Sequence, residues 1–395
     1  MRAKTLVSII FLLTALSCDL TSPPSPADSE VLDGPIGGLT VTEQKIFLRG
    51  DVAFNDVFTI QEGLGPVFVA NQCAACHPGD GKGSPFVRFT RFGQSDTLGN
   101  QYLLQGGPQL QHRAIPGFQP EILPPGASTA DLIAPAVTGL GLLDAIQDAT
   151  LLNLEDPDDL DDNGISGRVH WNEVPRYVTL RSNTISKSGR YISRFGKKAA
   201  VYDLLHQTSN AYNQDMGITS EFESLDPQTL LPVEPEVSAQ TIHDVVFYLK
   251  TLKPPIQRNP DNPDVMAGRD LFSKATCTSC HISSLSSGDS PIEALANKTF
   301  SPYTDLLLHD MGPGLDDGYT EGFAQSSEWR TPALWGLGLS RDSQGGQYFL
   351  LHDGRATSIG EAILWHGGEA QQAKEQYEKF NEDQKALLIT FLESL

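Results

Sequence analysis

Two five-residue stretches, Cys73-Ala-Ala-Cys76-His77 and Cys277-Thr-Ser-Cys280-His281, share the pattern C-x-x-C-H and constrain this chain more than any other feature. The spacing puts two thiols on one face of a turn, where they add across the vinyl groups of a haem while the adjoining histidine meets the iron from below. Cys73, Cys76, His77, Cys277, Cys280 and His281 are therefore read as haem-binding residues, with His77 and His281 as proximal iron ligands. Two such motifs about two hundred residues apart predict two covalently bound c-type haems.

The four motif cysteines leave only Cys18, so a structural disulfide would have to break a motif. A dithiol redox pair is disfavoured by the histidine after each pair and by the lack of a thioredoxin-like βαβ pattern. Zinc is disfavoured because neither motif has a fourth ligand nearby. Cys18 follows a charged start with Arg2 and Lys4, an apolar run from Leu6 to Leu16, and the small Ser17. That run is short for a membrane span, and Thr14-Ala15-Leu16-Ser17-Cys18 resembles a bacterial lipoprotein signal with Cys18 as the lipid-bearing residue. Residues 1–18 are read as this signal and 19–40, rich in Pro, Ser and Gly, as a flexible tether. Ordinary secretion with a spare cysteine is the other reading. Both export the protein to the periplasmic or cell-envelope side, with membrane contact only through an N-terminal lipid.

The rest of the chain repeats. Gly65-Pro-Val-Phe-Val-Ala-Asn-Gln-Cys73 is predicted as a short helix entering the first motif, the counterpart of Ala267 to Cys277, with Phe68 and Phe272 each five residues before a motif cysteine. Pro135-Ala-Val-Thr-Gly-Leu-Gly parallels Pro332-Ala-Leu-Trp-Gly-Leu-Gly. Ile242 to Leu252 and Lys385 to Leu395 carry apolar residues at helical spacing and sit where a cytochrome c domain closes. Lys253 to Asp264 holds four prolines in twelve residues, which neither a helix nor a central strand tolerates. The expected fold is mainly α: two tandem cytochrome c-like haem domains, 41–253 and 254–395, the first enlarged by an insertion between about Asp144 and Ser238. The 36 glycines and 26 prolines predict long loops around them.

A formal net charge of −21 disfavours nucleic acid as a partner. It favours a small basic or neutral electron carrier, although most of these charges read as an ordinary solvated surface. Asp159-Leu-Asp161-Asp-Asn163-Gly164 starts like a calcium loop, with Asp159, Asp161 and Asn163 at alternating positions, and fails at the twelfth position, His170. A calcium site and a metal-free acidic turn that braces the two domains are both open readings.

Glu328-Trp-Arg-Thr-Pro-Ala-Leu-Trp-Gly-Leu337, Leu351-His-Asp-Gly-Arg355 and Ala362-Ile-Leu-Trp-His-Gly-Gly-Glu369 resemble the peroxidase-like family of di-haem c-type oxidoreductases, also labelled thiol oxidoreductase-like. Asp161 to Arg168, Arg194-Phe-Gly196 and Asp215-Met-Gly-Ile-Thr219 carry the same likeness through the first half. The family is distantly similar to bacterial di-haem cytochrome c peroxidases and to the di-haem enzyme that matures tryptophan tryptophylquinone. The resemblance, from about Leu64 to Leu395, implies an oxidoreductase that passes electrons between two haems to reduce peroxide or oxidise a partner. It implies a small cytochrome or cupredoxin as redox partner, and calcium as in the peroxidases. In those relatives the second haem takes its other ligand from a helix after an H-D/S-G turn. Counting from His352-Asp-Gly354, that place falls on His366, with Met311 as the rival and His309 and His352 as loop-fixing residues. Over the first haem, in Gln109 to Glu121, His112 is read as a candidate distal ligand and Glu121 as a proton shuttle. His170, His206 and Met216 are further candidates for its sixth position. The competing function is a non-catalytic di-haem electron-transfer cytochrome, in which both irons keep two strong ligands.

Overall fold

The computed structural model describes residues 25–93 and 101–395. The signal expected at 1–18, Cys18 included, and the start of the tether lie outside the described residues. Among the described residues no helix is long and apolar enough to cross a membrane.

Two helix pairs organise the chain. The opening helix Val41–Asn55 packs on the closing helix Ala239–Thr251, and Pro263–Lys274 packs on Glu382–Ser394 in the same way. Their ends are set by sequence. Thr40 caps the first helix and shares a capping box with Glu43, while Asn262 caps the third, with Pro263 at its first turn. Each crossing is made at a glycine. A Cβ on Gly50 would overlap the Asp244 carbonyl oxygen, and one on Gly268 would overlap that of Leu387. The close approach lets aromatic rings fill the corner: Phe47 and Phe54 meet Tyr248, and Phe272 meets Phe391 and Tyr303. Each helix pair carries an apolar core, and the one on the first pair also takes in Leu285, Leu295, Leu306 and Trp335 of the second half.

The Gly-Leu-Gly repeat has one job in both halves. The N–H of Gly139 donates to the Leu252 carbonyl at 3.2 Å, and that of Gly336 to Leu395 at 2.8 Å, so each turn ties off the end of its closing helix. The tandem organisation is thus written twice in the backbone, once in the crossings and once in these turns.

Two expectations change. The stretch before the first motif is not a helix: Val67–Phe68 is a short strand paired with Arg113–Ala114. Gly63, Gly65 and Pro66 break helical propagation there. The counterpart of Phe272 is consequently Phe54 on the opening helix, not Phe68, because Phe54 lies 6.1 Å from the His77 ring as Phe272 lies 6.2 Å from His281. The fold also contains more strand than a mainly α reading expects, with five small sheets among the described residues. Arg88–Gly93 pairs antiparallel with Ser128–Ile133, and three strands, His170–Asn172, Ser186–Lys187 and Arg190–Ser193, lie within the inserted segment.

The insertion is built on a buried ion pair, Arg194 with Asp148, both without solvent contact. From it the chain reaches into the second half. The Lys198 ammonium donates to the carbonyls of Gln325, Ser326 and Glu328 at 3.0, 2.9 and 2.9 Å. Arg168 pairs with Glu328, and the Ser166 hydroxyl donates to Glu369 at 2.9 Å. The bracing expected of the acidic loop is therefore supplied by residues just beyond it.

Candidate functional site

Both C-x-x-C-H motifs fold into the same tight turn. The N–H of His77 donates to the Cys73 carbonyl at 3.0 Å and that of His281 to Cys277 at 3.0 Å. Each ring then gives its Nδ1–H to a backbone carbonyl, His77 to Pro135 at 2.7 Å and His281 to Tyr303 at 2.9 Å. This fixes the tautomer and leaves the Nε2 lone pair free on each ring, as a metal-ligating histidine requires. Burial holds both rings neutral, lowering each to about 4. The same burial pushes the Cys73, Cys76 and Cys277 thiols up to about 12, which makes them poor thiolate nucleophiles and weighs against dithiol exchange.

Opposite the second motif stands His366, at the end of the short helix Ile359–Leu364 that Ser358 caps. Its Nδ1–H donates to the Ala362 carbonyl at 2.8 Å, so its Nε2 is also free. The ring is close enough to His281 for its charge to depress that histidine further, after burial. A cavity of about 460 Å³ opens beside it, lined by His366, Trp365, Leu364 and Pro313. The rival Met311 packs instead with Leu315, Tyr319 and Trp329. His309 has both ring nitrogens taken, Nε2 by Asp305 at 2.8 Å and Nδ1 by Glu369 at 2.7 Å; despite burial, these carboxylates raise it well above the usual range. His352 lies flat on Trp329, ring centroids 3.8 Å apart. Both are loop-fixing residues.

The first motif meets a different wall. Gln111 is buried, and its Nε2 donates to the carbonyls of Asn213 and Gln214 at 3.3 and 2.8 Å. Its N–H donates to Glu121 Oε2 at 2.7 Å. Burial raises the Glu121 carboxyl to about 7, more than that hydrogen bond lowers it. The next residue, Asp215, ends a π-helical turn, Ala211–Asp215; burial raises it to about 6, and its charge reaches both Cys73 and Cys76. Gln111 and Asp215 were not singled out from the sequence. Gln111 is buried and its neighbour His112 exposed in a segment outside the regular elements, so no periodicity marks Gln111 in the sequence. Being exposed, His112 does not fill the distal place expected of it. His170 is excluded as well, since its Nδ1 meets the Lys198 carbonyl at 2.7 Å and its Nε2 accepts from the Phe323 N–H at 3.0 Å. The His206 Nδ1 accepts from the Tyr202 N–H, and Met216 is core.

Lys197, Asp215 and His366 are half-buried, and burial shifts the ionisation of each. The cavity at His366, a free Nε2 on each proximal ring and an aromatic flank beside each fit a porphyrin.

In the acidic loop the carboxylates of Asp156, Asp159 and Asp161 gather within 4.8 Å. Asn163 does not join them. Its Oδ1 accepts from the Ile165 N–H at 2.8 Å, and its Nδ2 donates to Asp161 at 2.9 Å. Asp159 and Asp156 likewise accept backbone N–H groups of the loop, which is how an acidic turn holds itself without metal.

A protein-family model described as "Di-haem oxidoreductase, putative peroxidase" matches residues 129–229 and 232–395, two thirds of the chain, starting after the first motif. No curated protein matches. Among solved structures, hydrazine synthase of Kuenenia stuttgartiensis pressurised with xenon aligns at 13% identity over 100% of both chains, with a TM-score of 0.39. A score that low carries no weight for fold or function.

Proposed function

The chain belongs to the di-haem oxidoreductase family, and from that premise we propose that it is a peroxidase-like enzyme which reduces a peroxide, or oxidises a partner, at the first motif and takes electrons in through the second. The haems, held by Cys73, Cys76 and His77 and by Cys277, Cys280 and His281, supply the redox-active irons and the electrons. The division of labour rests on one observation, the asymmetry between the two sites. A histidine with a free Nε2 faces the second motif, whereas the group that acts on the first motif's cysteines is a carboxyl, Asp215, next to Gln214, whose carbonyl holds Gln111.

His366, whose Nε2 is left free, would hold the second haem and keep that site for electron transfer. Glu121 handles the proton at the first. Held by the Gln111 N–H through Oε2, its carboxylate would accept a proton from peroxide in the first site and return it to the oxygen that leaves as water. Gln111, fixed to two carbonyls, positions Glu121. Export with a lipid on Cys18 follows from the character of residues 1–18. The acidic surface selects a small basic or neutral cytochrome or cupredoxin. Calcium is not required by the acidic loop as folded.

The test is the pH dependence of peroxide consumption by the holoprotein. Glu121 must be ionised to accept the proton. The rate should therefore climb as pH rises through about 7, the value burial gives this carboxyl. Glu121→Gln should remove that limb and lower the rate by about 10²–10⁴-fold. An unchanged profile sinks the assignment. Two haems that stay low-spin in every redox state would favour the electron-transfer cytochrome instead.

A further inference from the structure

Three cations crowd the cleft at the first motif with almost nothing to neutralise them. Lys82 follows the motif by five residues, Lys197 lies in the insertion and Arg330 in the second half. Lys197 is flanked by Lys82 and Arg330, both of like charge, and also acts on the His77 ring. Among the described residues neither lysine ammonium has a hydrogen bond or ion pair. The carboxylate that acts on both, Asp353, already accepts from the Arg355 Nε at 2.7 Å. Arg330 spends its Nε on the Gly196 carbonyl at 3.0 Å and its Nη1 on the Thr331 carbonyl at 3.1 Å; among the described residues it has no ion pair, and the carboxylate that acts on it, Asp305, is bonded to His309 Nε2 at 2.8 Å.

The backbone holds these residues firmly. The Ser343 hydroxyl donates to the Lys82 carbonyl at 2.9 Å, Gln344 donates to that of Gly83, and the Arg330 N–H donates to Lys197 at 2.9 Å. A half-buried ammonium without a partner is costly, and that of Lys197 has like charges for neighbours. Elsewhere carboxylates are abundant, at 49 against 28 basic residues, and Arg194, Arg168 and Arg91 all have one. Withholding them here is what a site for an incoming dianion requires.

We propose that Lys82, Lys197 and Arg330 form the cradle for the two propionate carboxylates of the haem attached at Cys73 and Cys76. The inference rests on the di-haem reading and adds to it that the second half, through Arg330 and the Ser343–Gln344 clamp on Lys82, completes the first haem's site.

The experiment uses holoprotein carrying Lys197→Gln, Lys82→Gln or Arg330→Gln, with Lys197→Arg as the charge-keeping control. Pyridine haemochrome counts covalent haem, resonance Raman reads the propionate bending mode, and redox titration reads each midpoint. Loss of a cation should shift the bending mode and lower one of the two midpoints, because the oxidised haem loses a repulsive neighbour, while Lys197→Arg stays near wild type. Two haems with unmoved bands and midpoints in all three glutamine variants would overturn the cradle alone. Absence of covalent haem would overturn the functional reading first. A change of one haem from six- to five-coordinate in Lys197→Gln would overturn the cradle by placing that amine on the iron. Should Lys197→Gln fail to accumulate, Lys82→Gln decides by the same two signals, since Lys82 is clamped through its backbone.

Discussion

A histidine is available to a metal only through the nitrogen its surroundings leave over. In His77, His281 and His366 a backbone carbonyl takes Nδ1–H and leaves Nε2; in His170 and His309 both nitrogens are spent. His366→Ala should therefore convert the second haem to a high-spin, five-coordinate spectrum, with the covalent haem count still two because Cys277 and Cys280 are intact. Optical and EPR spectra beside a pyridine haemochrome assay measure this, and an unchanged low-spin haem would pass the role to Met311. Motif spacing made the six attachment residues legible in the sequence, and resemblance pointed to His366. Neither could separate Gln111 from His112, since the two are adjacent in an irregular segment where no periodicity tells the buried residue from the exposed one. The cation cluster at Lys197 was illegible for another reason: its three members are up to about 250 residues apart and meet only in the folded cleft.

Elements were legible where apolar spacing is regular and obscure where it is not. The closing helices Ala239–Thr251 and Glu382–Ser394 bury consistent faces and stand close to where the pattern predicts. The opening helix Val41–Asn55 leaves Val41, Leu48 and Val52 exposed, so its pattern is blurred and the stretch before Cys73 looked like its substitute. What defines the opening helices is the glycine at each crossing. Gly268→Val should force the helix pair apart at the Leu387 carbonyl and destabilise the second unit by about 1–3 kcal/mol. Gly50→Val should do the same to the first at Asp244. Urea unfolding followed by helix circular dichroism would read either as a fall in midpoint with little change in slope. Equal midpoints for variant and wild type would mean that the crossings have room to spare.

At the scale of the whole molecule the two units are one object because they share the larger apolar core and because the insertion of the first is fastened to the second. Lys198 is the principal fastener: its ammonium satisfies three carbonyls of 325–328 and lies 3.7 Å from the Trp329 ring centre, whose other partner is His352. Burial lowers this lysine to about 8, and the surrounding acidic groups offset only part of that, so the bonds are made against a desolvation penalty. Lys198→Met keeps the bulk and removes the donor, leaving three carbonyls short of a partner where water has little access. The expected loss is about 2–4 kcal/mol, and its form matters more than its size. The larger apolar core takes in Leu285, Leu295, Leu306 and Trp335 of the second half, whereas the smaller one belongs to the second helix pair alone, so a weakened seam should let that helix pair unfold apart from the rest. Calorimetry should then resolve two transitions where the wild type shows one. A single transition, merely lowered, would place the cohesion of the halves in Arg168–Glu328 and Ser166–Glu369 instead. The seam runs from Lys198 and Arg168 to the Lys197–Arg330 backbone bond at the first cleft, so the contact that joins the halves also shapes the site where chemistry is proposed.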